Sequence, residues 1–153
     1  MIKRTIHFYE PNEPFGFLSN FFIAPLVIDG ETWLTSEHYY QAQKFCSPTL
    51  QARIRHAPTP DEAFKLSRDF MQHMDSHWID IRCDVMRYVV EQKFQQHDVL
   101  RSSLISTDDA LLVEHSKYDA FWGDGENGEG VNQLGQILMD VRDILLERNL
   151  SAF

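Results

Sequence analysis

The stretch FIAPLVIDGETWLTSEHYYQAQKF, residues 22–45, contains the signals that decide the fold class. Two short apolar runs flank Asp29-Gly30, a residue pair that favours a two-residue turn between antiparallel strands. Thr35, or the serine after it, can then cap a helix that we predict over residues 36–46. A β-hairpin followed directly by a helix indicates an α+β protein.

Helix signals dominate the rest of the chain. The clearest is Thr59-Pro60, a cap residue followed by proline at the first helical position, with Glu62 completing a capping box. Apolar residues recur at helical spacing from Trp78 to about His97. The other predicted elements are a strand in RTIHFYE (4–10), short helices from about Pro48 and after Asp98, a strand or helix end in ALLVEHS (110–116), and a terminal helix over 131–148. We therefore predict a mostly helical α+β fold with a small sheet or hairpin, built largely from the N-terminal third.

The overall composition is that of a globular protein. At 153 residues and 17.9 kDa, with no repeat and no linker, the chain is expected to form a single domain over residues 1–153. The net charge of −9 argues against a protein that coats long stretches of nucleic acid, although it is compatible with contact to a single nucleotide. Cys46 and Cys83 lack metal-type spacing and are expected to be buried thiols in a reducing compartment. No signal peptide or membrane-length apolar run is recognisable, so we expect a cytoplasmic protein without a membrane partner.

The predicted helix over residues 36–46 carries an unusual polar stripe. At about 100° per residue, Glu37, Gln41 and Lys44 fall on one side, with Tyr40 at the border. The opposite side, expected to be buried, contains His38, Tyr39, Ala42, Phe45 and Cys46. One interpretation is a solvated helix face. The other is a pocket wall on which a carboxylate and an amine bind a sugar and take part in proton transfer or nucleophilic attack.

A second candidate is the glycine-rich segment EHSKYDAFWGDGENGEGVNQLG, residues 114–135. Its glycines let backbone amides approach a ligand, and a helix is predicted to follow directly. Asp119 and Asp124 supply carboxylates, while Phe121 and Trp122 could stack on a base. The alternative is a mobile surface connection with solvated acids. Neither the Walker nor the dinucleotide-binding glycine pattern is present.

Four segments together resemble the NADAR family nearly end to end. They are FLSNFF (17–22), WLTSEHYYQAQKF (33–45), MRYVVEQKFQQH (86–97) and LLVEHSKYDAFWGDGENGEGVNQLGQILMDVR (111–142). The resemblance implies a mostly helical fold with a small sheet, and an enzyme that hydrolyses N-glycosidic bonds. One branch of the family acts on phosphorylated ribosylaminopyrimidines, early intermediates of riboflavin biosynthesis. Other members remove ADP-ribose from guanine in nucleic acid.

The resemblance also implies that the polar stripe and the glycine-rich segment are two walls of one pocket around a ribose. Glu37 is then the leading catalytic carboxylate, and Asp119 the second. Lys44 has two roles open to it, either stabilising negative charge on the leaving base or phosphate, or attacking C1′ to form an imine. The substrate-binding residues implied are Asn20, Phe21, Ser36, Tyr40, Gln41, Arg68, Trp78, Glu114, Trp122, Gly123, Asp124, Gly125 and Asn132.

Within that set the expected roles differ. Trp122, with Trp78 and Phe21, would enclose the base, and the amides around Gly123 and Gly125 would bind phosphate. The neutral hydrogen bonds would come from Asn20, Ser36 and Asn132. Several residues have structural alternatives, such as core packing for Trp78 and Phe21, a turn for Asn20, helix capping for Asn132 and an ion pair for Glu114.

The expected ligand is a phosphorylated ribosyl or ADP-ribosyl compound, including modified guanine in DNA. The mechanism requires neither a metal nor a redox cofactor, so none is predicted. The alternative function is a non-catalytic sensor that binds ADP-ribose or another nucleotide. A pure binder has no use for both Glu37 and Lys44, which favours the enzyme.

Overall fold

Residues 2–151 are described by the computed structural model, and their secondary structure is mainly helical. The strands are β1 (Thr5–Phe8), β2 (Leu26–Ile28), β3 (Glu31–Trp33) and β4 (Leu111–Glu114). The helices are α1 (Ser36–Ala42), α2 (Pro48–Arg55), α3 (Pro60–Asp69), α4 (Trp78–Gln96), α5 (Asp98–Ile105) and α6 (Gln133–Ser151), with short 3₁₀ helices at Gly16–Leu18 and Met71–His73. The predicted α+β class is confirmed.

Two compact units divide the described residues, one of residues 23–93 and the other of residues 2–22 with 94–151. The 23–93 unit begins with the predicted hairpin, in which Leu26 pairs with Trp33 and Ile28 with Glu31. Asp29 and Gly30 both have positive φ, 52° and 80°, as a tight hairpin turn requires. Helix α1 packs against β3, α2 and α3. The prediction that the whole chain counts as one domain stays a prediction.

The other unit is built around a parallel pair of strands from distant parts of the sequence. Strand β1 pairs with β4, from Thr5 opposite Leu111 to Phe8 opposite Glu114. Helix α6 covers β4 at very close range, because a Cβ at Gly135 would collide with the Leu112 carbonyl oxygen. ALLVEHS therefore contains a strand. The other three strands lie within the first third of the chain, as predicted, and the pairing of β1 with β4 is the part that the sequence did not indicate.

Helix α1 is shorter than predicted, because it ends at Ala42 rather than Cys46. After Ala42 the chain tightens into a turn in which the Phe45 N–H donates to the Ala42 carbonyl at 3.2 Å. The Asp75 N–H then donates to the Lys44 carbonyl at 2.8 Å, a tertiary contact that ties this turn to the segment before α4. Cys46 is consequently exposed rather than buried, and its thiol lies 3.0 Å from Asp75 Oδ2.

Across the described residues, every helix is either too short or too polar to traverse a lipid bilayer.

Candidate active site

The start of α1 is held by a buried histidine. The Thr35 Oγ1 accepts a hydrogen bond from the His38 N–H at 3.1 Å and caps the helix. The same hydroxyl lies 2.8 Å from His38 Nδ1, and His38 Nε2 lies 3.0 Å from the Ala57 carbonyl. Because a carbonyl can only accept, Nε2 carries the proton, and burial lowers the pKa of this ring. A neutral His38 therefore ties α1 to the segment before α3.

The polar stripe of α1 is not a solvated surface. Glu37 and Gln41 are only 7% and 3% exposed, and Gln41 Nε2 donates to Glu37 Oε1 at 2.7 Å. The other amide atom, Gln41 Oε1, is buried and has no hydrogen-bond partner among the described residues. A buried carbonyl oxygen of this kind is uncommon in folded proteins and calls for a donor from a ligand or a water molecule. The interpretation of the stripe as a solvated helix face was therefore wrong for these two residues.

Lys44 lies in the turn after α1, where its Nζ is 5.5 Å from the centre of the Tyr40 ring. Burial lowers the pKa of this amine, and the charges of Arg68 and Arg82 lower it further. The carboxylate of Glu37 acts in the opposite direction. The balance is a net decrease, so Lys44 holds a neutral amine at a lower pH than an ordinary lysine.

The aromatic residues beside Lys44 form part of the core. Tyr40, predicted at the border of the stripe, is 5% exposed, and it meets Trp78 edge to face with ring centres 5.1 Å apart. Trp78 is 3% exposed at the start of α4, which matches its structural alternative as a core residue. Arg68 is exposed in the last turn of α3, with its guanidinium 5.6 Å from the Phe64 ring. Substrate contacts by these side chains stay predictions.

The glycine-rich segment is organised by its own carboxylates. Asp119 Oδ1 accepts hydrogen bonds from the backbone N–H groups of Phe121 at 2.9 Å and Trp122 at 2.8 Å. This arrangement fixes the turn from which the half-buried Trp122 projects, with its ring 4.8 Å from that of Phe121. The Gly125 N–H donates to the Asp119 carbonyl at 3.1 Å, so that amide is already engaged and does not offer the free N–H expected for phosphate.

Asp124 is a second internal anchor of this segment. It is 6% exposed, its Oδ1 accepts from the Ser116 N–H at 3.2 Å, and its Oδ2 lies 2.8 Å from His115 Nδ1. Gly123 makes a close approach, because a Cβ there would lie 2.7 Å from the Glu114 carbonyl oxygen. The segment is thus a hydrogen-bonded structure and not a loose connection.

Asn132 holds the glycine-rich segment to strand β4. Its Oδ1 accepts from the Glu114 N–H at 3.0 Å, and its Nδ2 donates to the Leu112 carbonyl at 2.9 Å. Both ends of the side-chain amide are therefore engaged with backbone, and a φ of 54° turns the chain into α6. The side chain thus has a structural role in joining this segment to β4, and the predicted hydrogen bond to a ligand stays a prediction.

The remaining predicted residues lie near the chain's first 3₁₀ helix and at the start of α1. Asn20 and Ser36 are buried, and Phe21 is half-buried with its N–H 3.1 Å from Ser19 Oγ. Their roles stay predictions. No three His, Cys, Asp or Glu side chains in residues 2–151 are grouped so that they could hold a metal ion.

Comparison with known proteins decides the family. The NADAR domain model matches residues 7–146. The chain belongs to the NADAR family. It is 43% identical to the N-glycosidase YbiA of Escherichia coli (strain K12), over 95% of this chain and 91% of that protein. Its structure is similar to the NMR structure of E. coli YbiA, with a TM-score of 0.89 at 41% identity, covering 98% of this chain and 90% of that one.

A further relative extends beyond the NADAR domain. The chain is 48% identical to the riboflavin biosynthesis protein VVA0006 of Vibrio vulnificus (strain YJ016), over 96% of this chain but only 40% of that protein. A 42% identical relative, the N-glycosidase Npun_R5314 of Nostoc punctiforme, is covered over 94% of its length. The predicted class is thereby confirmed: this NADAR chain is an enzyme of the N-glycosidase type.

Two residues of this NADAR domain escaped the sequence reasoning. Arg82 acts on Lys44 through its charge, although α4 showed no feature that marked it. Lys93 is 1% exposed, and burial lowers the pKa of its amine to about 7. A signal for Lys93 existed, because it follows the buried Met86, Val89 and Val90 at helical spacing and so lies on the apolar face of α4.

Proposed function

We propose that this chain is an N-glycosidase that cleaves the bond between ribose C1′ and a base nitrogen in a 5′-phosphorylated ribosyl compound. One observation carries the proposal. Glu37 and Gln41 form a buried polar pair with one unsatisfied carbonyl oxygen, close to a lysine whose pKa is lowered. A ribose hydroxyl would supply the donor that Gln41 Oε1 lacks, and it would place the sugar beside both Glu37 and Lys44.

The chemistry requires stabilisation of positive charge at C1′ as the base leaves. The carboxylate of Glu37 supplies a negative charge for this purpose, and its burial strengthens the interaction because water screens it less. Gln41 holds this carboxylate through the 2.7 Å hydrogen bond. Glu37 is thus assigned the role of the charge-stabilising carboxylate.

Lys44 is assigned the role of the nucleophile. Its neutral Nζ attacks C1′, the electron pair of the C1′–N bond leaves with the base, and a proton from Nζ goes to that nitrogen. The C1′–O4′ bond then breaks, O4′ takes the second Nζ proton, and an imine joins C1′ to the lysine. Water hydrolyses the imine, which releases the free sugar and restores the amine. The lowered pKa of Lys44 supports this route, because only the neutral amine has a lone pair.

The names of two relatives and the net charge of the chain support one order of preference among the candidate substrates. Two relatives are named as riboflavin biosynthesis proteins, one of Vibrio vulnificus and one of Zea mays. The net charge of −9 also favours a small molecule over a long polynucleotide. We therefore place phosphorylated ribosylaminopyrimidines first and ADP-ribosylated guanine second. In both, a ribose C1′ is bonded to nitrogen and the 5′ position carries phosphate.

In the glycine-rich segment, Asp119 is assigned to positioning Trp122, since its Oδ1 is engaged with the Phe121 and Trp122 amides.

The decisive experiment measures release of free base by chromatography, with a ribosylaminopyrimidine 5′-phosphate and, separately, with DNA containing ADP-ribosylated guanine. Turnover of the first is expected. Turnover of the DNA alone would keep the glycosidase and change its substrate. A folded protein that releases base from neither overturns the proposal.

A second experiment tests the covalent route. Borohydride reduction during turnover is expected to attach the sugar to Lys44, as located by peptide mass. Lys44→Arg serves as the matched variant, because it keeps a positive charge but has no accessible neutral form. Loss of turnover in Lys44→Arg is expected. Substantial turnover in that variant, without any trapped adduct, would show that the lysine acts through its charge instead.

A further inference from the structure

The unit of residues 2–22 with 94–151 contains a cavity of about 610 Å³, lined by the N-terminal segment and by α5. Sites for small molecules in proteins have volumes on the order of 300–1,000 Å³, so this cavity is large enough for such a ligand. None of the described residues that line it is a predicted residue of the active site. Its lining contains one unpaired cation, two aromatic rings and three serine hydroxyls, contributed by Arg4, Phe15, Phe17, Ser102, Ser103 and Ser106.

One face of α5 supplies the hydroxyl groups. Ser102, Ser103 and Ser106 follow Val99 by three, four and seven residues, the spacing that places side chains on the same face of a helix. A serine in a helix can donate to the carbonyl four residues earlier, yet these three side chains make no hydrogen bond with any other residue in 2–151. The hydroxyl of Thr107, by contrast, donates to a backbone carbonyl at 2.6 Å. The three serines are therefore available to a molecule in the cavity.

Arg4 brings a positive charge to the cavity. Its backbone is fixed directly before β1, because the Leu111 N–H donates to the Arg4 carbonyl at 2.8 Å. Its guanidinium makes no hydrogen bond or ion pair with any residue in 2–151. The carboxylate of Asp98, which also lines the cavity, is instead paired with Arg101 Nη2 at 2.8 Å. The Arg4 guanidinium is thus available to an anionic ligand.

The aromatic wall of the cavity is anchored at one end and accessible at the other. Phe17 packs edge to face on the buried Phe94, with ring centres 6.4 Å apart. The Phe15 ring lies 6.4 Å from that of Phe17 and is 36% exposed. Between them, Gly16 keeps the turn tight, because a Cβ there would collide with the Pro11 carbonyl oxygen. The two rings therefore present an apolar surface against which a flat group can pack.

We propose that this cavity binds a phosphate ester of a flat aromatic or heteroaromatic compound. Arg4 and the three serine hydroxyls bind the phosphate, and Phe15 and Phe17 contact the ring. The number of donors favours phosphate over carboxylate, because three hydroxyls and a bidentate guanidinium supply about five hydrogen bonds, whereas a carboxylate accepts about four. The three terminal oxygens of a phosphate monoester can accept them all. None of these residues takes part in the proposed hydrolysis, so this inference does not rest on the proposed function.

The test uses the full chain and naphthyl phosphate, a probe with a flat ring and a phosphate but no ribose. In an NMR titration, the amide shifts are expected to be largest for residues 99–106 and 15–17, and small for residues 36–44. The Kd is expected in the millimolar range or tighter, as is usual for a ligand of this size. Inorganic phosphate and naphthol each offer only one of the two recognised groups, so each is expected to bind roughly tenfold more weakly or worse.

Four variants assign the binding to the residues of the cavity. Arg4→Gln is expected to weaken naphthyl phosphate binding roughly tenfold or more, and Ser103→Ala roughly threefold, with little effect on naphthol. Phe15→Leu should weaken naphthyl phosphate binding but leave inorganic phosphate binding unchanged. Lys3→Gln is the matched control, because it removes an adjacent exposed charge that is not among the described lining residues. Since the Arg4 and Ser103 side chains make no hydrogen bond within residues 2–151, their replacement is expected to leave the fold intact.

The outcomes separate this inference from the proposed function. Equal affinity for naphthyl phosphate in the wild type, Arg4→Gln and Ser103→Ala would overturn the inference. So would amide shifts centred on residues 36–44, or inorganic phosphate that binds as tightly as naphthyl phosphate. Weakened binding in Arg4→Gln with base release at the wild-type rate would support a separate site, whereas a parallel loss of base release would overturn it. Naphthyl phosphate binding by a wild-type protein that releases no base would overturn the glycosidase and leave this inference in place.

Discussion

Replacing Lys93 with methionine should change how the stability of the protein depends on pH. Lys93 is 1% exposed on α4, and burial lowers the pKa of its amine from 10.5 to about 7 in the folded protein. Between about pH 7 and pH 10.5, the unfolded chain holds a proton on this side chain that the folded protein does not. Protonation therefore favours unfolding, and this lysine makes the free energy of unfolding rise with pH across that range.

The size of the effect follows from the two pKa values. In the middle of the range, the free energy of unfolding changes by about 1.4 kcal/mol per pH unit for one proton. Integrated from about pH 7 to about pH 9, the contribution of Lys93 is roughly 2 kcal/mol. Lys93→Met lacks this contribution but has a side chain of similar length. The free energy of unfolding of Lys93→Met, minus that of the wild type, is therefore expected to fall by about 2 kcal/mol from about pH 7 to about pH 9.

Urea denaturation followed by tryptophan fluorescence, repeated at several pH values, measures this difference directly. Every other titrating group is common to the two proteins, so subtracting one stability curve from the other isolates Lys93. Lys65→Met is a matched control, because it makes the same substitution at a lysine that is exposed on α3. Parallel curves for Lys93→Met and the wild type would refute the reasoning.

Three further predictions concern the active site and the glycine-rich segment. If Lys44 acts as the neutral nucleophile, kcat/KM should rise with pH through a pKa below 10.5, and Lys44→Ala should lose turnover across the same pH range; a rate independent of pH would contradict it. Glu37→Gln should lower kcat and move any residual rising limb of the pH profile to lower pH, whereas Arg68→Gln should move that limb to higher pH. The reason is that Glu37 raises the pKa of Lys44 and Arg68 lowers it, so shifts of the same sign would contradict this prediction. Asn132→Ala removes two hydrogen bonds to β4 and should lower the free energy of unfolding by ~1–3 kcal/mol in a denaturant titration. Asn127→Ala, in the exposed part of the glycine-rich segment, should lower it by less than about 0.5 kcal/mol, and equal losses would contradict the anchoring role of Asn132.

The parts of the fold that were predictable from the sequence are those with local causes. The hairpin followed from Asp29-Gly30, whose positive φ angles the structure contains. The cap at Thr59 was equally local, since its Oγ1 accepts the Glu62 N–H at 3.1 Å. In both places a few adjacent residues determine the backbone, so no information about distant segments is needed.

The errors arose where a distant residue determines the local structure. Helix α1 ends at Ala42, and the turn after it is tied to Asp75, more than thirty residues along the chain, by the hydrogen bond from the Asp75 N–H to the Lys44 carbonyl. Cys46 is exposed because the helical wheel no longer applies beyond Ala42. The pairing of β1 with β4 was missed for a similar reason, since parallel strands are joined by a long crossover connection and no local signal indicates which strands pair.

In the candidate site, too, features with local causes were predictable and features that depend on distant residues were not. The grouping of Glu37, Gln41 and Lys44 was predictable, because it follows from helical spacing along one short stretch. The burial of the first two was not, since spacing alone does not say what covers a helix face. The influence of Arg82 on Lys44 was beyond reach as well, because it depends on the packing of two helices from different parts of the chain.

The pairing of β1 with β4 has a consequence for protein synthesis. On the ribosome, β1 emerges first, but its partner strand is made roughly a hundred residues later. The 23–93 unit lies between the two strands in the sequence, so it can form its own contacts before the partner strand of β1 has been synthesised. A chain that is released before residue 114 would therefore carry an unpaired N-terminal strand, a form suited to recognition by chaperones or to aggregation.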